Sequence, residues 1–386
     1  MTFLELNFSI NNNKQFQLKK MQKKKLILFM PSIDVGGVEK NLFIISNYLS
    51  KKIPGSFLIT SSKSLNSKFR NIKIINPKYN FENSSFKRLK FLFCIIELIK
   101  LLIKDRNYLV FSFQANLYCS IICRIFGIKI IVRSNSSPSG WQLGFFRKRI
   151  FSFFLRFPYK IIVNSKEFKK EYKKRFNIKV KCIYNPLNIK FIKKASNEKI
   201  KINFFKDYKK IKIIFIGRLV NQKDPITFVK ALNLLKNKID FRSIIIGRGY
   251  YYKTLQNFLL DNKLKNKVKI INWQNNPYKY LKSADLLVLT SKYEGLPNIL
   301  LEAVSLKKNI ISTDCPTGPK EILDNGKGGD LFKVGDYQQL SKRILLLNKN
   351  KKKYNNKLEF AYKRLGRFDY EKNLGLYLKE IKSEMN

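Results

Sequence analysis

The chain has 386 residues and not one histidine, which removes the commonest general base and metal ligand at neutral pH. Acidic residues are scarce as well, with 26 Asp and Glu against 78 Lys and Arg. No Asp-x-Asp sequence occurs, so a diphosphate bridged to the protein by a divalent metal is not expected, and no metal site is predicted. The first 25 residues, "MTFLELNFSINNNKQFQLKKMQKKK", contain no apolar core of a signal peptide, and no uncharged apolar run reaches about 18 residues. These absences predict a cytoplasmic protein. Five cysteines are an odd number set among apolar neighbours. Cys119 and Cys123 can share a helix face, but no third ligand stands near enough in sequence to complete a zinc site, which favours buried free thiols.

The formal charge of +52 invites a nucleic-acid or anionic-membrane partner. The lysines are scattered through every segment, however, and Lys, Asn, Ile, Phe and Tyr are abundant together, as codon bias in an AT-rich genome would produce. No recognition motif or clustered basic stripe accompanies the charge. A nucleic-acid-binding protein is therefore the rival reading on charge alone, and no nucleic-acid partner is expected.

The length predicts two domains. Short apolar runs ("KKLILFMPS", "SFLIT", "IKIIN", "YLVFSF", "IKIIVRS", "KIIVNS", "VKCIYNP") alternate with amphipathic helical stretches, the pattern of parallel strands covered on both faces. It pauses at a polar, Lys/Asn-rich stretch around 187–210, read as an interdomain linker. Alternation restarts with "IKIIFIG", "FRSIIIG", "KVKIIN", "ADLLVLT" and "KNIIST". The expectation is α/β: two doubly wound, Rossmann-like domains, residues 1–188 and 206–366, facing a central cleft. The Lys-rich run near 348 is read as a solvated helix end or loop. Ligands of such folds bind beyond the carboxyl ends of the strands.

Three loops there carry chemistry. "PSIDVGGVEKN" puts Gly36 and Gly37 between strand and helix, where backbone N–H groups can approach an anion or a sugar. "FIGRLVNQKDP" puts Arg218 and Lys223 at a strand end, two cations suited to a diphosphate. "SKYEGLPNILLEA" holds Glu294 in the turn and Glu302 in the helix that follows. At ~100° per residue Asn298, Glu302 and Ser305 form one narrow stripe on an otherwise apolar helix, with Pro297 in its first turn. A carboxylate there must point at something specific, because burying it unpaired is costly.

Glu294 and Glu302 form an E-x7-E pattern, and in these surroundings the chain resembles the retaining family 4 glycosyltransferases of GT-B fold, such as build bacterial surface polysaccharides. The likeness runs along nearly the whole sequence, through "GGVEK", "IYNPLN", "IGRLVNQKDP", "SADLLVLTSKYEGLPNILLEAVS" and "STDCPTGPKEIL". It implies a nucleoside-diphosphate sugar donor, UDP-linked, and a glycan or polyprenyl-diphosphate-linked acceptor, without a cofactor. Arg218 and Lys223 would hold the donor diphosphate. Glu302 would accept from the ribose hydroxyls, and Glu294 would face the donor sugar as the catalytic carboxylate. Gly295, Leu296, Pro297 and Asn298 would cradle the distal phosphate, and Gly36 and Gly37 would border it from the acceptor domain. The last helix, about 368–386, would pack back on the first domain. One departure stands out. Many relatives carry a histidine in the loop after the "IIVRS" strand, where this chain has Asn135, which cannot act as a base. In that family the leaving phosphate is proposed to take the acceptor proton, so the loss need not abolish activity. It keeps a noncatalytic nucleotide-sugar binder as an alternative. "FKRLKFLFCIIELIKLLIK" and "FFRKRIFSFFLRFPYK" mix basic with large apolar residues; the first is read as a core-packing helix, the second equally as internal packing or as peripheral contact with an anionic membrane.

Overall fold

The computed structural model describes residues 24–33, 36–78, 87–135, 145–200, 202 and 204–385. The N-terminal stretch read for a signal peptide and the Ser-Pro loop after Asn135 fall outside them. So do the side chains of Arg147 and Lys148.

Two parallel sheets build the molecule. The first runs β3-β2-β1-β4-β5-β6-β7, from β1 (Lys25–Phe29), β2 (Phe57–Ile59), β3 (Lys73–Ile75), β4 (Tyr108–Ser112), β5 (Ile130–Ser134), β6 (Lys160–Val163) and β7 (Lys181–Cys182). The second runs β10-β9-β8-β11-β12-β13, from β8 (Ile211–Ile216), β9 (Phe241–Ile246), β10 (Val268–Ile271), β11 (Leu286–Leu289), β12 (Asn309–Thr313) and β13 (Asp330–Phe332). Each strand order reverses beside its first strand, between β1 and β4 and between β8 and β11. The crevices of the two domains therefore open at the loops after those four strands.

Alternation sorts the strand residues onto two cores. Ile27, Phe29 and Val110 pack with Cys94, Leu98 and Cys123 on one face of the first sheet. Leu26, Leu28 and Phe111 pack on the other with Leu42, Ile45, Leu374, Tyr377 and Ile381. The last three belong to the terminal helix Tyr370–Met385, which thus returns to the first domain. Burying a Leu or Ile there is worth roughly 1.5–3 kcal/mol each. Lysines from the first domain grip the same helix. Lys160 and Lys181 reach Glu380 at 2.6 and 2.8 Å, and Lys160 and Lys129 reach Glu384 at 3.2 and 3.3 Å.

Two local readings of the sequence need correction, and a third holds. The stretch read as a polar linker contains the helix Ile189–Ala195, capped by Asn188, and its Ile192 and Ala195 join the second-domain core with Leu187 and Phe205. A few apolar residues at helical spacing were enough to dock it. The Lys-rich run near 348 is a solvated helix end, as expected: exposed residues 349–353 join the helices Tyr337–Lys349 and Lys351–Lys363, the latter anchored by buried Tyr354 and Leu358. Pro297 precedes its helix as the N-cap, and the helix begins at Asn298.

Candidate active site

The second-domain half of the site is assembled by two loops stitched together. β8 runs into Gly217, and a Cβ on Gly247 after the neighbouring strand would lie 2.0 Å from the Gly217 carbonyl oxygen, so only glycine allows this approach. Arg218 follows, its exposed guanidinium donating to Gln222 at 2.9 Å. Gln222 in turn donates to the Tyr293 carbonyl at 3.1 Å, and Thr290 donates to the carbonyls of Lys223 and Asp224 at 2.9 and 2.8 Å. These bonds hold the loop after β8 against the loop after β11.

Lys223 and Glu294 meet within this frame. The Lys223 ammonium lies 2.5 Å from Glu294 Oε1, and the Ser291 hydroxyl donates to the same oxygen at 2.6 Å. Glu294 is buried, and these two donors keep its charge from being stranded. The sequence reading gave the two residues separate tasks. The structure makes them partners.

Gly295 to Asn298 form the turn that opens the helix Asn298–Ser305, and no side chain caps that helix. A Cβ on Gly295 would sit 2.5 Å from the Asn135 carbonyl oxygen, so Asn135, the residue that follows β5, lies directly against this turn. The Asn135 side chain is turned inward, donating to the Phe113 carbonyl at 2.7 Å and accepting from Arg133. Asn298 is also engaged. Its Oδ1 accepts from Asn185 at 2.6 Å and its Nδ2 donates to the Gly37 carbonyl at 3.2 Å. Gly37 therefore borders the turn from the first domain, with Gly36 just before it at the helix start.

Glu302 is buried on the stripe predicted for it, and its partner comes from the opposite domain. Lys40, one turn into the helix Gly37–Lys52, places its ammonium 2.5 Å from Glu302 Oε1 and 2.7 Å from the Tyr278 oxygen. Burial works against the charge on Lys40, but the Glu302 carboxylate and Tyr278 outweigh it and raise its pKa. Burial, followed by the nearby Glu302 charge, pushes the Tyr278 phenol up to about 12.

Sequence reasoning missed Lys40, Tyr278, Asn185 and Arg133. Arg133 is fully buried, and its guanidinium donates to Tyr377 at 2.9 Å, to Asn185 at 2.6 Å and to Asn135. It ties the returning helix to the residues around the Gly295–Asn298 turn. A signal existed, since a charge interrupts the apolar strand "IKIIVRS". Lys40 lay within the quoted "GGVEK", but only tertiary structure carries it across a cleft.

Together these residues line a cleft of about 1320 Å³. Its second-domain wall carries Arg218, Lys223, Glu294 and Glu302. Its first-domain wall is more apolar, with Leu117, Tyr118, Phe151, Phe154 and Leu155. Among the described residues, no group of three or more Cys, Asp or Glu could hold a metal ion.

Residues 196–364 match the family model described as glycosyl transferases group 1. An N-acetylgalactosamine-N,N'-diacetylbacillosaminyl-diphospho-undecaprenol 4-alpha-N-acetylgalactosaminyltransferase of Campylobacter jejuni is 25% identical over 351 residues, which are 86% of this chain and 93% of that protein. An uncharacterized glycosyltransferase of Methanocaldococcus jannaschii is 46% identical over 80 residues, only 21% of this chain and 20% of that protein. Among solved structures, Anabaena HepE in complex with UDP-glucose superposes with a TM-score of 0.75 at 18% identity, covering 93% of this chain and 100% of that one. The chain thus has the GT-B fold of glycosyltransferases, and its similarity to glycosyl transferases group 1 lies in residues 196–364.

Proposed function

We propose that the chain is a retaining glycosyltransferase. It moves a hexosyl or N-acetylhexosaminyl group from a UDP-linked donor to a glycan or polyprenyl-diphosphate-linked saccharide, in the assembly of a surface polysaccharide or glycan. The observation that carries this reading is the meeting of Arg218, Lys223, Glu294 and Glu302 at the strand-order reversal of the second sheet, opposite an apolar first-domain wall. The two cations meet the donor diphosphate and stabilise the charge that grows on it as the glycosidic bond breaks. Glu302 accepts from the ribose hydroxyls. Glu294, poised by Lys223 and Ser291, faces the donor sugar, and the uncapped helix behind Gly295–Asn298 favours a phosphate at its N-terminus. As is proposed for the family the chain resembles, the leaving phosphate takes the acceptor proton, a step that needs no histidine.

The Campylobacter relative, whose name includes a diphospho-undecaprenol-linked saccharide, supports a lipid-linked acceptor. The UDP-glucose bound to HepE supports the donor class. A membrane-bound acceptor also fits the first-domain surface. Leu92, Ile103, Tyr118, Ile125, Ile150 and Phe153 are exposed on three helices of that domain, beside exposed Arg88, Lys104, Arg124 and Arg156. Such a face suits peripheral contact with an anionic bilayer from the cytoplasmic side. No helix among the described residues is long and apolar enough to cross a membrane.

Release of nucleoside diphosphate from a panel of nucleotide sugars, with and without lipid-linked acceptors, tests the proposal. The wild type should consume one donor, and Glu294→Gln should consume it with a lower kcat. Binding of a nucleotide sugar without turnover under any acceptor condition would leave only the noncatalytic binder. Salt-sensitive binding of random duplex DNA, with no nucleotide-sugar binding, would favour the charge-based rival.

A further inference from the structure

The Lys40 ammonium already occupies one of the two Glu302 carboxylate oxygens. The pair spans the two domains, and both side chains are largely withdrawn from water, at 29% and 7% exposure. A ribose presents two adjacent hydroxyls, which the two carboxylate oxygens can accept one each. The ammonium on Oε1 therefore competes with one of those hydroxyls. We propose that Lys40 is a donor-site residue contributed by the first domain, which holds Glu302 while the cleft is empty and exchanges it for the donor diphosphate when a nucleotide binds. The proposal rests on the glycosyltransferase reading above, which places ribose at Glu302.

The exchange is balanced in charge and in hydrogen bonds. The ribose hydroxyls replace the ammonium as donors to Glu302, so the carboxylate is never left bare. Lys40 is one helical turn from Gly37, whose carbonyl is bonded to Asn298 of the phosphate-side turn. A diphosphate entering there offers the freed ammonium a new counter-charge. Tyr278 stays beside Lys40 and can keep its hydrogen bond through the change. A nucleoside without phosphates supplies the hydroxyls but no replacement charge. It must break the pair and leave Lys40 unpaired. Lys40 thereby favours nucleoside diphosphates over nucleosides by penalising the latter.

Calorimetry with uridine and with UDP on the full chain tests this. Lys40→Met removes the competitor for Glu302, so uridine should bind at least threefold more tightly than to wild type. UDP loses one counter-charge and should bind more weakly, and the ratio of the two dissociation constants should shrink about tenfold or more. Lys40→Arg keeps the cation and should preserve most of the wild-type ratio, while thermal midpoints report whether either variant is folded. Weaker binding of both ligands to folded Lys40→Met by the same factor would overturn the proposal, making Lys40 a support for the site. Unchanged affinities would overturn it too. If wild type bound neither uridine nor UDP, the glycosyltransferase reading itself would fall, and that result is distinct from the other two.

Discussion

The ammonium of Lys223 lies 2.5 Å from Glu294 Oε1, so a cation assigned to the donor diphosphate is also the partner of the carboxylate assigned to the donor sugar. Arg218, in contrast, is exposed and donates to Gln222. The two basic residues should therefore fail differently. Arg218→Ala should weaken UDP far more than uridine, by about tenfold or more, since a charge-assisted contact is worth roughly 1.5–3 kcal/mol. Lys223→Ala should do the same, lower kcat further, and lower the thermal midpoint because Glu294 keeps only Ser291. Breaking a fully buried pair costs roughly 3–5 kcal/mol, and the partial exposure of Lys223 reduces that here. The double variant Lys223→Met, Glu294→Gln should recover most of the lost stability. Equal losses of UDP and uridine binding in Arg218→Ala would show a purely structural residue.

Turnover should survive EDTA, because Arg218 and Lys223 supply the positive charge that a bridging metal would otherwise bring. Loss of activity on chelation, restored by Mg²⁺ or Mn²⁺, would contradict that assignment.

Acid should loosen the returning helix. Burial opposes the charges of Glu380 and Glu384, yet Lys160 and Lys181 outweigh it at the first, and Lys160 and Lys129 at the second. Both carboxyls are held below their ordinary value of 4.5. Depressed folded-state pKa values contribute stability that is present above the unfolded value and lost as pH falls through the folded one. Lys160 is raised, with burial opposing and the two glutamates prevailing, so its share is fully present below 10.5 and lost only as pH rises through the folded value. Limited proteolysis should release the helix increasingly as pH drops below about 4.5. Glu380→Gln with Glu384→Gln should loosen it at pH 7. Protease resistance independent of pH and of these variants would mean that Leu374, Tyr377 and Ile381 hold the helix unaided.

The first-domain apolar face predicts sedimentation with anionic vesicles and not with neutral ones, at about 1 kcal/mol for each basic residue near the surface. Ile125→Ser with Phe153→Ser should reduce it without changing the thermal midpoint, because both side chains are already exposed. Undiminished partitioning of that variant would show diffuse charge acting without the apolar face.

The strand pattern made the alternating α/β order legible, since each core strand is a short apolar run bounded by turns, as "LLVL" is before "SKYEGLP". The buried stripe carrying Glu302 was legible too, because helical spacing left only Asn298 and Ser305 beside it among apolar neighbours. What answers a buried charge was not. Lys40 is 262 residues from Glu302, and Lys223 is 71 from Glu294, and periodicity carries no information over such separations. The helix Ile189–Ala195 was hidden for another reason. Its polar composition predicts a linker, whereas packing of Ile192 and Ala195 on the second-domain core decides its state.

The two glutamates test the central claim most directly, by calorimetry with UDP set beside turnover of the intact nucleotide sugar. Glu302→Gln keeps the shape of the side chain but weakens its acceptance of the ribose hydroxyls, so it should weaken UDP binding and raise the donor KM. Glu294→Gln should leave UDP affinity nearly intact and lower kcat, because its contact with the sugar matters most as positive charge develops at the anomeric carbon. Two variants that bind UDP and turn over the donor like wild type would make the pair simple partners for Lys40 and Lys223, and would contradict the catalytic account of this cleft.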